Sequence, residues 1–427
     1  MNTLEKKPSP QANHPLEWTE NNYVIRVFDH PNAVAAAQWQ ALLAAEAEQG
    51  RDALPFVTPT YLAALHDSGS ATPATGWMLQ LVTVWTAGLD RLLGACALYI
   101  KAHSHGEYVF DWAWADAHAR HGLPYYPKGV VAVPFTPVPG PRLLATDAPT
   151  RQVLMGALLR LSERLHLSSL HLLFAHPQDQ AAAQAAGLML RHTVQFHWRN
   201  QHPTAERPFT DFEDFLASLS QDKRKKIRQE RRKVAEAGIC FRTAWGAEIS
   251  AADWDFFYRC YERTYLEHGN APYLSRDFFQ RLADQAPQHW LMCLAQRADG
   301  TLIASSLIAL NSIHESAAGQ KDLKNMSSVA FGRYWGALER VDCLHFEACY
   351  YQPIAWCIAH GVDRFEGGAQ GEHKMARALL PVRTTSAHWL AHPAFADAVD
   401  RYLARETEGV DGYLTHLAGR LPFKARS

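Results

Sequence analysis

The clearest pattern of apolar and polar positions in this chain is a stretch that occurs twice. Residues 54–65, LPFVTPTYLAAL, align without a gap with residues 271–282, APYLSRDFFQRL. Thr58 and Ser275 take matching positions as hydroxyl N-caps, and the apolar residues that follow each at three- and four-residue steps make one helix face. Because the two copies lie too far apart for a solenoid repeat, the pattern predicts a duplicated domain.

Each copy is followed by two apolar runs that are separated by a short turn. The runs cover residues 79–85 and 92–100 in the first half and residues 291–295 and 302–310 in the second. Each pair predicts a β-hairpin. A helix and a strand then follow in each half, at residues 152–165 and 169–175 and at residues 347–359 and 363–366. This order predicts an α/β fold of two tandem domains, each a mixed, largely antiparallel sheet flanked by helices; the alternative is two unrelated α/β domains that match by chance.

The composition is that of a soluble globular protein. With 427 residues, 48% of them hydrophobic and 20% charged, the chain is long enough for two domains with real cores. A polar, proline-containing link at residues 200–207 indicates where the domains divide. We therefore predict a flexible segment at residues 1–22, a first domain at 23–199, a second domain at 200–405 and a tail at 406–427.

Charge and cysteine content exclude several classes. The net charge of −1 excludes a protein that binds polyanions over its whole surface. The N-terminus lacks a secretory signal, and Asp90 and Arg91 interrupt the apolar stretch near residue 90, so no integral membrane segment is predicted. Seven scattered cysteines without a C-x-x-C motif are typical of reduced thiols in the cytoplasm. The 22 histidines do not cluster at metal-ligand spacing, and no pattern indicates an oligomeric state.

One segment is strongly basic. Residues 221–233, QDKRKKIRQERRK, carry eight basic and two acidic side chains. As a helix, this segment predicts a site for phosphates of a nucleotide, a tRNA or a lipid diphosphate, with Lys225 and Arg228 as the candidate contacts. The alternative is a solvated linker helix.

A glycine-rich turn follows the last strand predicted above. In FEGGAQGEHKMAR, residues 365–377, a strand end leads into a short helix. Glycines there let backbone N–H groups approach a ligand, and a helix start adds positive potential. The candidates are Gly367, Gly368 and Gly371 for binding the donor, His373 and Lys374 for catalysis, and Gln370, Glu372 and Arg377 for binding the substrate. The alternative is a tight turn with a solvated charged face.

The segment before this turn also combines glycines with reactive groups. FGRYWGAL, residues 331–338, places Arg333 and Tyr334 inside a strand with two glycines, which favours a bulge or a close ligand approach. LHFEACYY, residues 344–351, then starts a helix in which Glu347 is a candidate base with a raised pKa and Tyr350 a substrate contact. Alternatively, Tyr350 is core material and Glu347 a cap or a buried ion-pair partner.

The first half has an unusual aromatic stretch at residues 103–128. Asp111 and Asp116 lie there among Trp112, Tyr126 and other aromatic residues. Aromatic walls with a few carboxylates suit a polar organic substrate that carries an amine. The alternative is an aromatic packing surface between the domains.

Four segments together resemble a bacterial family of predicted N-acyltransferases related to the Fem-type peptidoglycan aminoacyltransferases. They are residues 106–128 (GEYVFDWAWADAHARHGLPYYPK), 196–200 (FHWRN), 331–354 (FGRYWGALERVDCLHFEACYYQPI) and 365–377 (FEGGAQGEHKMAR). The resemblance implies two tandem GNAT-type domains and transfer of an acyl or aminoacyl group to an amine. It implies acyl-CoA or aminoacyl-tRNA as co-substrate, no tightly bound cofactor, and a small molecule or a cell-wall precursor as acceptor. Fem-type proteins carry a lysine in a segment that residues 373–378 resemble, so Lys374 carries over.

Two functions follow from these observations. In an N-acyltransferase, Glu347 or His373 would serve as the base, and Lys374 or a backbone amide at residues 368–371 would stabilise the carbonyl oxygen. We then expect a cleft in the second domain, between residues 331–338, the Glu347 helix and residues 367–374, with residues 111–126 near its mouth. The alternative is a non-catalytic module that recognises cell-wall precursors. Donor turnover distinguishes the two.

Overall fold

The structure, a computed structural model, describes residues 16–51, 54–311, 327–368 and 371–424. The strands are β1 (Leu16–Glu20), β2 (Tyr23–Phe28), β3 (Trp77–Thr86), β4 (Leu92–Lys101), β5 (Lys128–Val131), β6 (Leu144–Ala145), β7 (Ser169–Leu172), β8 (Met189–Arg199), β9 (Ile239–Trp245), β10 (Trp290–Arg297), β11 (Leu302–Leu310), β12 (Val329–Ala337), β13 (Arg364–Glu366) and β14 (Leu380–Leu390).

The helices lie on both faces of these strands. They are α1 (Ala36–Glu48), α2 (Pro59–Asp67), α3 (Trp112–Arg120), α4 (Ala148–Arg164), α5 (Pro177–Ala185), α6 (Phe212–Ser218), α7 (Gln221–Glu236), α8 (Ala251–Glu267), α9 (Arg276–Gln285), α10 (Leu344–Phe346), α11 (Gln352–Ala359) and α12 (Pro393–Ala418), with a π-helical segment at Glu347–Tyr351 between α10 and α11. Short 3₁₀ helices lie at Pro31–Ala33, Pro55–Val57, Pro73–Thr75, Gly246–Glu248, Pro287–His289 and Glu372–Arg377. In the described part of the chain, no helix has both the length and the apolar character needed to cross a membrane.

The strands of the described residues form one continuous sheet. Its order is β1-β2-β3-β4-β5-β7-β14-β8-β13-β12-β11-β10-β9, with β6 paired to β4. The pairs β5–β7 and β12–β13 are parallel, and the other pairs are antiparallel. The series β2-β3-β4-β5-β7 therefore has the same order and directions as β9-β10-β11-β12-β13. The predicted fold class, an α/β fold with a mixed, largely antiparallel sheet flanked by helices, is confirmed, and the repeated strand order agrees with the predicted duplication. The boundary between the two domains stays a prediction, because the continuous sheet does not mark it.

The centre of the sheet is built by strand exchange. β14 pairs with β7 of the first half on one side, and β8 pairs with β13 of the second half on the other. β8 and β14 also pair with each other over nine residue pairs, from Leu380–His197 to His388–Met189. The strand next to β7 of the first half therefore comes from the second half, and the strand next to β13 of the second half comes from the first.

The two copies of the repeated stretch pack against each other. The Thr58 hydroxyl accepts a hydrogen bond from the N–H of Tyr61, and the Ser275 hydroxyl accepts one from the N–H of Phe278, so both predicted N-caps are confirmed. The rings of Tyr61 and Phe278, which match each other in the repeat, meet edge to face with centroids 5.4 Å apart. One hydrophobic core therefore includes α2 and α9 and spans both halves.

Both ends of the chain differ from the prediction. Residues 16–20, placed within a flexible segment, form β1, because Leu16 to Glu20 pair antiparallel with β2; residues 1–15 lie outside the described part. At the other end, α12 runs through residue 405 as one helix of 26 residues. Val399, Leu403 and Leu417 are buried along it and keep it docked past the predicted end of the domain.

Candidate active site

One cavity, where β12 and β13 separate, brings together five of the candidate residues: Arg333, Tyr334, Tyr350, Gly367 and Gly368. These strands pair in parallel from Val329–Arg364 to Phe331–Glu366, and then the chain of β13 turns away at Gly367. The gap is a cavity of about 150 Å³. Its walls include Gly332, Arg333, Tyr334, His345, Cys349, Tyr350, Gly367 and Gly368. In the first half, the space beside β5 is a void of only about 20 Å³, lined by apolar residues and Arg142.

A β-bulge occurs at Arg333, one of the residues that line this cavity. Tyr334 pairs with Leu307 and Gly332 pairs with Ile308, so Arg333 is the extra residue without a partner on β11. A bulge of this kind re-aims a side chain. Nη2 of Arg333 donates hydrogen bonds across the junction of the halves, to the Phe135 carbonyl at 2.7 Å and the Thr136 hydroxyl at 3.2 Å. The predicted bulge is confirmed.

The π-helical segment forms the opposite wall. π-turns widen a helix locally and occur often at functional sites. This one places Cys349 and Tyr350 on the cavity, together with His345 from the preceding turn. Burial lowers the pKa of His345 to about 4, so this imidazole is neutral near pH 7. His345 and Cys349 were not predicted as site residues, although their four-residue spacing puts them on one helix face.

The glycine turn places Lys374 beside two residues of the cavity wall, Gly367 and Gly368. Gly368 has a φ of +83°, and its carbonyl accepts a hydrogen bond from Lys374 Nζ at 2.9 Å. A β-carbon at Gly367 would lie 2.4 Å from Leu379 Cδ2, so the turn requires a residue without a side chain. Lys374 is only 3% exposed, and this burial lowers its pKa to about 8. A buried cation therefore lies beside the gap between the strands.

His373 and Arg377 lie on either side of Lys374 in the predicted short helix, which is a 3₁₀ helix. His373 Nε2 lies 3.4 Å from the Tyr350 hydroxyl, and burial lowers the pKa of this histidine. Arg377 is buried and donates to both carboxylate oxygens of Glu230 on α7, at 2.9 and 2.8 Å. Arg377 thus connects this helix to α7. Gly371 has a φ of +120°, Glu372 pairs with Arg420 on the surface, and Gln370 lies outside the described residues.

Glu347 lines a different cavity. This second cavity, of about 370 Å³, is also lined by Arg228, Arg231 and Gln352. The Glu347 carboxylate accepts hydrogen bonds from Arg231 at 3.1 Å and from Gln352 at 2.7 Å. Burial raises the pKa of Glu347, and Arg231 opposes that shift. The raised pKa agrees with the expectation, but the structure does not bring Glu347 to the cavity of Lys374.

The predicted basic helix is α7, and one side of it is anchored. Ile227, Glu230 and Val234 are buried along this side. Lys225 and Arg228 are exposed, and Arg228 pairs with Glu213 at 2.6 Å. The helix is therefore a docked element with a basic outer face rather than a free linker.

The aromatic stretch of the first half does not reach the cavity. Asp111 is buried; burial would raise its pKa, but Lys128 and His171 outweigh that effect and hold it well below its usual value. Tyr126 bonds Ser104 at 2.9 Å, while Trp112 and Asp116 lie at the surface. None of the four lines the cavity beside Lys374.

One group among the described residues has potential metal ligands close together. Ligand atoms of His30, His66 and Asp67 lie within 4.8 Å of one another. The Nδ1 atom of His30 accepts a hydrogen bond from the Asn32 N–H, so Nε2 of this ring carries the proton and donates to Asp67 at 2.8 Å. His30 is therefore held in a tautomer that does not bind a metal through Nε2.

Three solved structures show what the chain is similar to. L-PGS from Bacillus licheniformis is 10% identical, with 85% of this chain and 96% of that one covered and a TM-score of 0.48. FemX is 8% identical, with 86% and 98% covered and a TM-score of 0.48. A tandem GNAT protein from the clavulanic acid biosynthesis pathway is 14% identical, with 86% and 99% covered and a TM-score of 0.41.

Sequence comparison gives a family. No curated protein matches this chain. A model of the FemAB-like family, described as peptidoglycan biosynthesis/recognition, matches residues 30–425. The chain therefore belongs to the FemAB-like family, as the resemblance predicted.

Proposed function

We propose that the protein transfers an acyl or aminoacyl group from acyl-CoA or aminoacyl-tRNA to an amine in the cavity between β12 and β13. The acceptor is a small molecule or a peptidoglycan precursor. The observation that supports this most is the buried Lys374, which lies beside the Gly368 carbonyl where the two strands separate. A fixed cation in a site that excludes water stabilises the negative charge that develops on an acyl oxygen.

The amine must lose a proton during the reaction. Its nitrogen attacks the acyl carbon, a C–N bond forms, and the bond to the sulfur of CoA or the ribose oxygen of tRNA breaks. We assign the proton path to Tyr350 and His373, since Tyr350 lines the cavity and its hydroxyl lies 3.4 Å from His373 Nε2. Tyr350 takes the amine proton and passes its own to His373, and the leaving group receives the proton last.

Glu347 has another role in this proposal. Its carboxylate is bonded to Arg231, so it holds α7 against the π-helical segment. The exposed Lys225 and Arg228 of α7 then contact phosphates of the donor. Asp111, bound to Lys128 in the first half, is assigned to the stability of that half.

Donor turnover tests the proposal. The purified protein is incubated separately with labelled acyl-CoA and with charged tRNA, each with and without an amine acceptor. Acceptor-dependent loss of label from one donor supports the proposal and identifies the donor. If neither donor loses its acyl group while a peptidoglycan precursor binds, the protein is a recognition module and the transferase proposal is wrong.

A further inference from the structure

Arg333 is a cation without a counter-charge. The Nε atom of its guanidinium is buried and has no hydrogen-bond partner among the described residues. The partners of Nη2 are the Phe135 carbonyl, the Thr136 hydroxyl and, at 3.5 Å, the Tyr334 hydroxyl, and none of them is a carboxylate. The guanidinium interacts electrostatically with the phenols of Tyr334, Tyr61 and Tyr108. In the described part of the chain, no carboxylate lies within ion-pair distance of Arg333.

The buried arginines among the described residues have better partners. Arg377 pairs with Glu230 at 2.8 Å and also donates to the Tyr351 hydroxyl at 3.0 Å. Arg142 has no carboxylate bonded to its guanidinium, but the group donates to the carbonyls of Leu173, Pro141 and Val138. A charge with few partners in a largely dry site is costly. Among the described residues Arg333 has one carbonyl acceptor, no carboxylate and an Nε atom without a partner, so it stands apart, and the cavity that it lines is where a partner can enter.

We propose that Arg333 binds a carboxylate of the acceptor, so that the acceptor is an amino acid or a compound that carries an amine and a carboxylate a few atoms apart. A guanidinium presents a planar fork that matches a carboxylate. The diphosphate of a donor needs several cations, and α7 offers them outside the cavity. At Arg333 there is one guanidinium between aromatic walls, with the Tyr334 ring at 5.0 Å and the Phe56 ring at 5.6 Å.

Because the cavity is small, the position of the acceptor's carboxylate also determines where its amine lies. Gly332, the neighbour of Arg333, has its carbonyl oxygen 3.8 Å from where a β-carbon of Gly368 would lie, so the two sides of the gap are close. A carboxylate at Arg333 therefore leaves the amine near Gly368, Lys374 and Tyr350. This inference rests on the proposed transfer reaction for the role of the amine, but the carboxylate site is measured by binding alone.

Isothermal titration with matched pairs tests the site. The probes are glycine, β-alanine and γ-aminobutyrate, each compared with the amine that lacks the carboxylate: methylamine, ethylamine and propylamine. We expect at least one amino acid to bind the wild-type protein about tenfold or more tightly than its partner amine, the scale of one charge-assisted contact. Arg333→Gln should remove this preference. Thr136→Val, which deletes one bridging contact and keeps the guanidinium, should retain it.

Three results would overturn the inference: no preference for any amino acid, an unchanged preference in Arg333→Gln, or inorganic phosphate binding more tightly than every carboxylate. If Arg333→Gln does not fold, acetate competition in the wild-type protein decides, because acetate should displace the amino acid and an equal concentration of chloride should not. Carboxylate preference without donor turnover would leave this site intact and remove only the transferase proposal. If amino acids and their partner amines are acylated equally fast, the transferase proposal stands and the carboxylate site is wrong.

Discussion

Lys374 is the residue on which the proposed chemistry depends most. We expect Lys374→Ala to lower turnover by about a hundredfold or more, the scale of losing one oxyanion donor. Lys424→Ala removes an exposed lysine and is the control. The variant must be compared with the wild type by thermal unfolding, so that loss of fold is not read as loss of catalysis. Full turnover in Lys374→Ala, with the fold intact, would show that this cation has no part in the reaction.

His373 gives the reaction a predictable pH dependence. Burial lowers its pKa, and Arg377 and Lys374 lower it further, so the ring is neutral at pH 7 and becomes protonated only below its ordinary value of about 6.5. A protonated ring cannot accept a proton. We therefore expect kcat/KM to rise with pH to a plateau, with a midpoint below about 6.5.

Two variants check this assignment. His373→Gln should lower the plateau and abolish the acidic limb, whereas Glu347→Gln should keep the limb, because Glu347 lines the other cavity. A limb that survives in His373→Gln and disappears in Glu347→Gln would reverse the assignment of the base.

At this scale the sequence predicts residue types better than it predicts contacts. Glycines next to ionisable groups drew attention to Arg333, Gly368 and Lys374; the first two line one cavity, and Lys374 donates to the Gly368 carbonyl. The segment of Asp111 had the same appearance, yet its carboxylate is bound to Lys128, a residue of β5. Whether a carboxylate faces a ligand or a lysine depends on tertiary packing, and no local spacing encodes that.

At the scale of elements, α7 is where charge and anchoring can be separated. Reversing two exposed cations, Lys225→Glu with Arg228→Glu, should weaken binding of a phosphate-bearing donor by about tenfold or more at low ionic strength, and the difference should shrink as salt rises. Arg259→Glu with Arg263→Glu on α8 reverses two exposed charges elsewhere and is the matched control. Affinity measured against salt would be flat and unchanged if α7 carried only solvated charge.

Helices and hairpins were the most predictable elements. The caps at Thr58 and Ser275 and the runs of β3, β4, β10 and β11 follow from local patterns. A short helix at Glu372–Arg377 was predicted too, but the pairing of its Arg377 with Glu230, a residue 147 positions away in sequence, was not. Local periodicity contains no information about such a partner.

At the scale of the molecule, the exchanged strands should make the halves inseparable. We expect residues 1–204 and residues 205–427, expressed alone, to lack a cooperative unfolding transition, because each fragment lacks the strand that completes its sheet. The cut falls in the exposed link between β8 and α6. Mixed or co-expressed fragments should recover the circular dichroism and the thermal transition of the intact chain. A first fragment that unfolds cooperatively as a monomer would contradict this expectation.

The duplication was visible in the sequence, but the exchange was not. The segments of α2 and α9 align in sequence. In contrast, β8 and β14 are distant in the chain, and their apolar and polar residues alternate as in any strand. Nothing in either strand states which neighbour it will have. A sequence divided at residue 200 therefore suggests two separate sheets, although β8 joins β13 and β14 joins β7.

Because of the same exchange, β7 stays without its neighbour β14 for part of the time that the ribosome takes to synthesise the chain. β7 leaves the ribosome about 200 residues before its neighbour β14 does. At bacterial and eukaryotic elongation rates, that interval lasts roughly 10–40 s. Throughout it, the inner edge of the first half has unpaired N–H and C=O groups, the arrangement most prone to pairing with another nascent chain. Slow translation or crowded polysomes should therefore lower the yield of this protein through contacts between unfinished copies, even though the finished sheet has that edge covered.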